Sequence, residues 1–271
     1  MPRLVFDVGM NNGDDTAYYL HQGCRVVAIE ADPQLCHMAS SKFSHEILSG
    51  QLVVENVGIA RDVGEMTFWV SSKTVWSSFD RMNATKGRAT ASPVAIPTLS
   101  FSSLIAKHGI PHFAKIDIEG NDIVCIEQLT PDSAPTYLSI EMQYGDGDAA
   151  VGHLGRLGYT SFKLVRQGDF FELTPENCER ELALRRVLSR LGPYGPHLRR
   201  VYRPHLRRYA WHFSRESSGP MSFELPGPWL PPNDITTLWR SLHRLDAEFG
   251  FGGRAEWYDI HATRVRSDFP Q

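Results

Sequence analysis

The stretch LVFDVGMNNGDDTAYYL, running from Leu4 to Leu20, limits the architecture of this chain more than any other feature. Leu4, Val5 and Phe6 are the short apolar run that a strand buried on both faces needs, and the Gly/Asn cluster from Gly9 to Gly13 breaks it. Ala17, Tyr18 and Leu20 then begin a helix. The alternation continues. CRVVAIEAD reads as a second strand ending at Glu30, and Pro33 to Phe43 suits the next helix. QLVVENVGIA reads as a third strand, with GEMTFWV an extra one beyond a turn at Asp62 to Gly64. The polar, aperiodic SSKTVWSSFDRMNATKGRATASP reads as a loop, and VAIPTLSFSSLIAKHG as a strand leading into a helix. HFAKIDIEG is a strand ending in acids, followed by a helix from about Asn121 to Leu129. APTYLSIEMQ repeats that design with Glu141 at its end, and YTSFKLV and EWYDIHATRV close the series. Strands that alternate with helices in this way build a parallel sheet covered on both faces.

A glycine turn between strand and helix lets a ligand approach the backbone. A dinucleotide fingerprint needs glycines where this chain has Asn11 and Asp14, and carboxylates at Asp14 and Asp15 would repel a pyrophosphate. The pattern Asp7-x-Gly9-x-Asn11-x-Gly13 resembles motif I of the class I methyltransferases, with Asn at the middle glycine. Their S-adenosylmethionine cofactor has no phosphate, and its sulfonium and amino groups tolerate nearby carboxylates. Composition is permissive: a net charge of -3 gives no overall pull toward nucleic acid, and no apolar run approaches a membrane span. Met1-Pro2-Arg3 leads straight into a strand, leaving no room for a signal peptide. The scattered Cys24, Cys36, Cys125 and Cys178 read as reduced core cysteines of a cytoplasmic protein.

Ligands of open parallel sheets bind outside the carboxyl ends of the strands. Asp7, Glu30, Asp117 with Glu119, and Glu141 all fall there. A carboxylate at Glu30 can accept hydrogen bonds from both ribose hydroxyls, which suits a nicotinamide dinucleotide and S-adenosylmethionine equally. Any single acid could be a helix cap, but acids at successive strand ends are harder to dismiss. FDVGMNNGDDTAYYL, VVAIEADP, VGIARDVGEMTF and AKIDIEGNDIVCIEQL together resemble the successive blocks of the FkbM family of S-adenosylmethionine-dependent methyltransferases. The most recognisable block is Ile116-Asp117-Ile118-Glu119-Gly120 followed by an apolar helix.

That resemblance covers about Leu4 to Leu164 and resumes at the final strand. It implies an α/β, Rossmann-like class I methyltransferase fold: a mostly parallel seven-stranded sheet with an antiparallel last strand, and a largely helical insertion before that strand. Residues 1–165 and 256–271 would be the methyltransferase core, and 166–255 an inserted cap or assembly subdomain. It also implies methyl transfer to a hydroxyl of a sugar, glycan or related secondary metabolite. Asp7, Gly9, Asn11, Asn12, Gly13 and Thr16 would shape the methionine end of the pocket. Glu30 and Ala31 would hold the ribose, and Asn56 and Val57 would flank the adenine. Asp117, Glu119 and Glu141 are the candidate catalytic acids. Asp117 and Glu141 could instead hold Mg²⁺, because some related O-methyltransferases place a divalent cation at these strand ends. His261 is a further candidate base, although an inward strand histidine is more often a core residue.

Two features leave the working of the insertion open. Leu184, Leu188 and Leu191, and later Ile235, Leu238, Leu242 and Leu245, mark helices, while PHLRRVYRPHLRR between them is basic. Eight arginines between Arg185 and Arg208, interleaved with Tyr194, Tyr202 and Tyr209, could bind nucleic acid or another polyanion, or form a solvated helix face. As a cap, the segment would put Trp229, Trp257 and Tyr258 near a sugar ring and its arginines near an anionic part of the acceptor. A dimerisation arm is the alternative.

Overall fold

The computed structural model describes residues 2–142, 147–190, 211–214, 217–248 and 257–265. Its strands are β1 (Leu4–Val8), β2 (Arg25–Ile29), β3 (Leu52–Glu55), β4 (Gly58–Ile59), β5 (Gly64–Ser71), β6 (Ala91–Leu99), β7 (Phe113–Ile116), β8 (Tyr137–Glu141), β9 (Ser161–Arg166), β10 (Phe171–Leu173) and β11 (Tyr258–Thr263). Eight of them form one sheet in the order β3-β2-β1-β7-β8-β11-β9-β10. β3, β2, β1, β7 and β8 run parallel, and β11 lies antiparallel between β8 and β9, as expected of the last strand. The addition is β10, which folds back on β9 at the sheet edge. Its tight turn is closed by the buried Arg166–Asp169 pair, at 2.7 and 2.6 Å, and by Phe170 N–H donating to Arg166 O. A three-residue strand shows no alternation to read in the sequence.

Two other expectations change. QLVVENVGIA is not one strand. It breaks at Asn56, whose side-chain amide donates to the carbonyls of Glu30 and Ala31, and the chain then leaves the sheet as β4. β4, β6 and β5 form a separate three-stranded sheet, so VAIPTLS does not join the main one. The stretch read as a loop, Ser71–Pro93, contains the end of β5, helical turns at Thr74–Trp76 and Arg81–Ala84, and the first residues of β6.

Alternate residues of each strand serve opposite faces. Phe6, Val8, Val27, Ile29, Ile116, Leu138, Ile140 and Leu164 join one core with Phe101 and Leu104, Cys125 and Ile126, and Val151 and Leu154 of the covering helices. Val5, Val26, Ala28 and Phe113 face the other way, against Tyr18, Tyr19 and Leu20 of helix α1 (Asp14–His21) and Ala39 of helix α2 (Pro33–Lys42). All four cysteines are buried and free. Among the described residues no helix is long and apolar enough to cross a membrane.

The described parts of the insertion share these cores. In the helix Pro232–Glu248, Ile235, Leu238, Trp239, Leu242 and Leu245 pack into the first. Burying a side chain of that size contributes about 1.5–3 kcal/mol, so this helix is a structural layer of the domain. Met221 enters the second core, with Trp211, Phe213 and Phe223 packed against it. In the helix Cys178–Ser189 the inward face is Cys178, Leu182 and Arg185, whereas Leu184 is exposed. The helix that the leucine spacing marks is present, with Leu184 on its exposed side. Leu191, Tyr194, Tyr202, Tyr209 and the five arginines from Arg199 to Arg208 lie outside the described residues.

Candidate active site

β1 ends at Val8, and Gly9, Asn11 and Gly13 then turn the chain with positive φ angles of 83°, 50° and 76°. Asparagine tolerates this left-handed region better than most residues, which explains its place at the middle glycine. Gly9 meets a stricter demand. A Cβ there would lie 1.8 Å from the carbonyl oxygen of Asp117, so glycine lets the loop after β7 approach. Behind the turn, Thr16 Oγ1 donates to Asp7 Oδ2 at 2.6 Å, both side chains being fully buried. Lys115 of β7 donates to Gly9 O at 2.6 Å and lies 3.3 Å from Asp7 Oδ1. Burial opposes the charge on Lys115, but Asp7, Asp117 and Asp15 outweigh it and hold its pKa above the ordinary value.

Glu30, after β2, accepts Asn11 N–H on one carboxylate oxygen and Asp32 N–H on the other, each at 2.8 Å. Burial still raises its pKa against these two donors. A cavity of about 770 Å³ opens above it. Val57, Ile59, Phe68 and Phe79 give its lining apolar surface, and Asp15, Lys115, Asp117, Glu119 and Glu141 give it polar surface. Gly9, Asn11, Asn12, Glu30 and Ala31 line it as well.

The acids gather at the carboxyl ends of β7 and β8. Carboxylate oxygens of Asp117, Asp122 and Glu141 lie within 4.8 Å of one another. Asp122 closes the loop after β7 by accepting Ile118 N–H at 2.9 Å and Gly120 N–H at 3.1 Å. Burial first, then the charge of Asp117, lifts Asp122 to about 6 and Glu119 to about 7, while Lys86 pulls Glu119 the other way from 3.6 Å. Glu141 is raised well above its ordinary value for the same reasons. Asp259 of β11 sits in register with Glu141, takes a hydrogen bond from Gln167 at 2.8 Å, and is also raised well above its ordinary value, mainly by burial.

The structure thus brings Gly9, Asn11, Asn12, Glu30, Ala31, Val57, Asp117, Glu119 and Glu141 to one cavity. Asp7, Thr16 and Asn56 stand behind its wall, and Gly13 caps α1. His261 is elsewhere: it lies mid-strand opposite Ser139, with Nδ1 2.8 Å from Ser222 Oγ, and burial followed by the Lys163 charge pushes its pKa down to about 3. Of the three aromatic residues expected near a sugar, Trp257 lines the cavity at 58% exposure. Tyr258 is buried, and Trp229 lies under the Lys163 ammonium. Arg185, counted with the polyanion patch, is 3% exposed. Sequence reasoning missed Lys115, Asp15, Asp122, Asp259 and Trp76. A lysine inside a four-residue buried strand was the available signal for the first.

This sheet order, with its last strand antiparallel and a cavity at the carboxyl edge, is the class I methyltransferase arrangement. The family model of the methyltransferase FkbM domain matches residues 7–173, more than half of the chain, and the chain belongs to that family. Among solved structures, the precorrin-6y C5,15-methyltransferase of Geobacter metallireducens is 12% identical over 64% of this chain and 73% of its own, with a TM-score of 0.36. The phosphoethanolamine N-methyltransferase 2 of Haemonchus contortus, in complex with S-adenosyl-L-methionine, is 7% identical over 98% of this chain and 49% of its own, with a TM-score of 0.36. No curated protein matches. The cofactor of the chain is S-adenosylmethionine. The cavity fits it in size and in offering both apolar and polar lining.

Proposed function

We propose that this chain transfers the methyl group of S-adenosylmethionine to a hydroxyl oxygen of a sugar, glycan or related secondary metabolite, in the cytoplasm. The observation that carries this reading is the lining of the cavity, which includes Glu119, Glu141 and Gln167 together with Trp76 and Trp257. Carboxylate and amide oxygens accept hydroxyl protons, and indole faces cover the apolar face of a sugar ring.

When bound, the cofactor supplies an electrophilic methyl group on its sulfonium. Glu30, with the lone pairs left by Asn11 and Asp32 N–H, and Ala31 would hold the ribose, and Val57 would flank the base. Gly9, Asn11, Asn12 and Gly13 shape the wall that Asp7, Thr16, Lys115 and Asn56 support from behind. Transfer to an alcohol needs alignment and removal of a proton, and Glu119 takes the proton. Asp117, Asp122 and Glu141 fit a hard divalent ion such as Mg²⁺, because all three offer carboxylate oxygens within 4.8 Å of one another. Such an ion, when bound, would lower the pKa of an acceptor hydroxyl. The insertion frames the opening, since Gln167 and Trp257 at its two roots both line the cavity.

The test is incubation with cofactor carrying a ¹³C-methyl group and a panel of methyl glycosides, read by NMR. A new O-methyl resonance on a glycoside supports the proposal. Label appearing only on amines in a parallel panel would overturn the O-transfer.

A further inference from the structure

The insertion reaches the site through a short strap. Ser217 Oγ donates to Asp15 Oδ1, Ser218 N–H donates to Asp15 Oδ2 at 2.9 Å, and Ser218 Oγ donates to Asp117 Oδ2 at 3.2 Å. Gly219 N–H donates to Ser217 Oγ at 3.0 Å and closes the turn. Both serines are buried, and the strap is held on its far side. Gly219, at φ +90°, packs where a Cβ would lie 2.4 Å from the Phe170 ring, and Met221 enters the core against α1. These residues lie beyond the segment, 7–173, that carries the family match. They belong to this chain's insertion.

What the strap grips is a carboxylate residue only 4% exposed that lines the cavity. Asn56, next to Val57, is tied to the Glu30 and Ala31 carbonyls, while Ser218 ties Asp15 to Asp117. With the ribose at Glu30 and the base against Val57, the amino-acid part is left to Asp15 and Asp117, which also line the cavity. A carboxylate offers about four lone-pair positions, and the strap uses two on Asp15. Lys115 makes its direct contacts with Gly9 O and Asp7, and its charge favours the Asp15 carboxylate without bonding it. Burying a carboxylate is costly unless a cation or donors compensate it, and the cationic group at this end of the cofactor is its α-ammonium.

We propose that Asp15, fixed by Ser217 and Ser218, is the acceptor for the α-ammonium of the cofactor, so that the insertion closes the amino-acid end of the site. This rests on the reading that the cavity takes S-adenosylmethionine. The strap makes Asp15 a rigid acceptor and carries the same order to Asp117.

The test compares two commercial probes by titration calorimetry: S-adenosylhomocysteine, which keeps the amino acid, and 5′-methylthioadenosine, which lacks it. Wild type binds the first more tightly. In Asp15→Asn the side-chain oxygen can accept Ser218 N–H while its amide donates to Ser217 Oγ, so the strap is retained. This variant is expected to lose about tenfold or more in affinity for S-adenosylhomocysteine and to keep 5′-methylthioadenosine within about twofold. Ser217→Ala, which removes the hydroxyl donor to Asp15 Oδ1 and leaves Asp15 in place, serves if Asp15→Asn fails to fold, and shows the same selective loss to a smaller degree. Equal loss of both probes, or loss of neither, overturns the proposal. A wild type that binds neither probe overturns the cofactor reading itself, which separates the two failures.

Discussion

Replacing Glu30 by alanine should damage the fold as well as the cofactor site, and the structure says by how much. Its carboxylate holds two backbone donors at 2.8 Å, Asn11 N–H in the left-handed turn and Asp32 N–H at the start of α2. Hydrogen bonds to a charged group contribute about 1.5–3 kcal/mol each, so Glu30→Ala removes about 3–6 kcal/mol of interaction. Part is returned, because burial makes the charge of Glu30 costly in the folded chain. A net destabilisation of about 2–4 kcal/mol is expected from orphaning two buried donors. Loss of the ribose contacts adds a weakening of S-adenosylhomocysteine binding by about 1.5–3 kcal/mol, or roughly 10- to 150-fold. Glu30→Gln keeps one acceptor oxygen and should fall between wild type and alanine on both scales. Urea denaturation measures the first quantity and calorimetry on folded protein the second. A Glu30→Ala variant as stable as wild type, or one with unchanged affinity, would refute the reasoning.

Further outcomes follow from the buried acids and the insertion. Asp15 titrates near 6 in the folded chain, above its ordinary 3.8, with burial the main cause. A raised carboxylate stabilises the fold below its ordinary pKa, and that contribution fades as pH rises through 6, a loss of about 3 kcal/mol at the usual ~1.4 kcal/mol per unit. Asp15→Asn should therefore gain stability over wild type between pH 4.5 and 7, measured by urea melts at both pH values; a constant difference would contradict this. If Asp117, Asp122 and Glu141 hold Mg²⁺, exhaustive EDTA treatment should abolish turnover and added Mg²⁺ or Mn²⁺ restore it, whereas full activity after EDTA removes the ion from the account. Replacing Pro193 to Tyr209 with a Gly/Ser linker should leave cofactor affinity within about twofold while raising the acceptor KM or eliminating turnover. Unaltered kinetics together with a dimer that dissociates would assign that segment to assembly.

The parts of the site legible in the sequence are those that strand ends dictate. Glu30, Asp117 and Glu141 each follow an apolar run, and a parallel sheet delivers the ends of such runs to one edge. Side-chain direction was not legible. Thr16 and Asn56 lie in the right segments, yet they turn behind the wall to hold Asp7 and the Glu30 carbonyl. Asp15 and Asp14 are neighbours of the same type, and only the helix orientation buries one and exposes the other's edge to Lys42. Contacts across long sequence separations were hidden entirely: nothing near Ser217 or Ser218 announces a partner in α1 or just after β7. The β4-β6-β5 sheet escaped because Asn56 breaks a run that is otherwise apolar and β-prone.

The central claim is that the cavity above Glu30 is a site for S-adenosylmethionine rather than for a dinucleotide. A thermal-shift titration of the whole chain with S-adenosylhomocysteine and, in parallel, NAD tests it directly, because a ligand that binds only the folded state raises the melting temperature with the logarithm of its concentration above Kd. The account predicts a rise that grows with S-adenosylhomocysteine concentration, is lost in Glu30→Ala, and is absent with NAD. A shift with NAD and none with S-adenosylhomocysteine would contradict it.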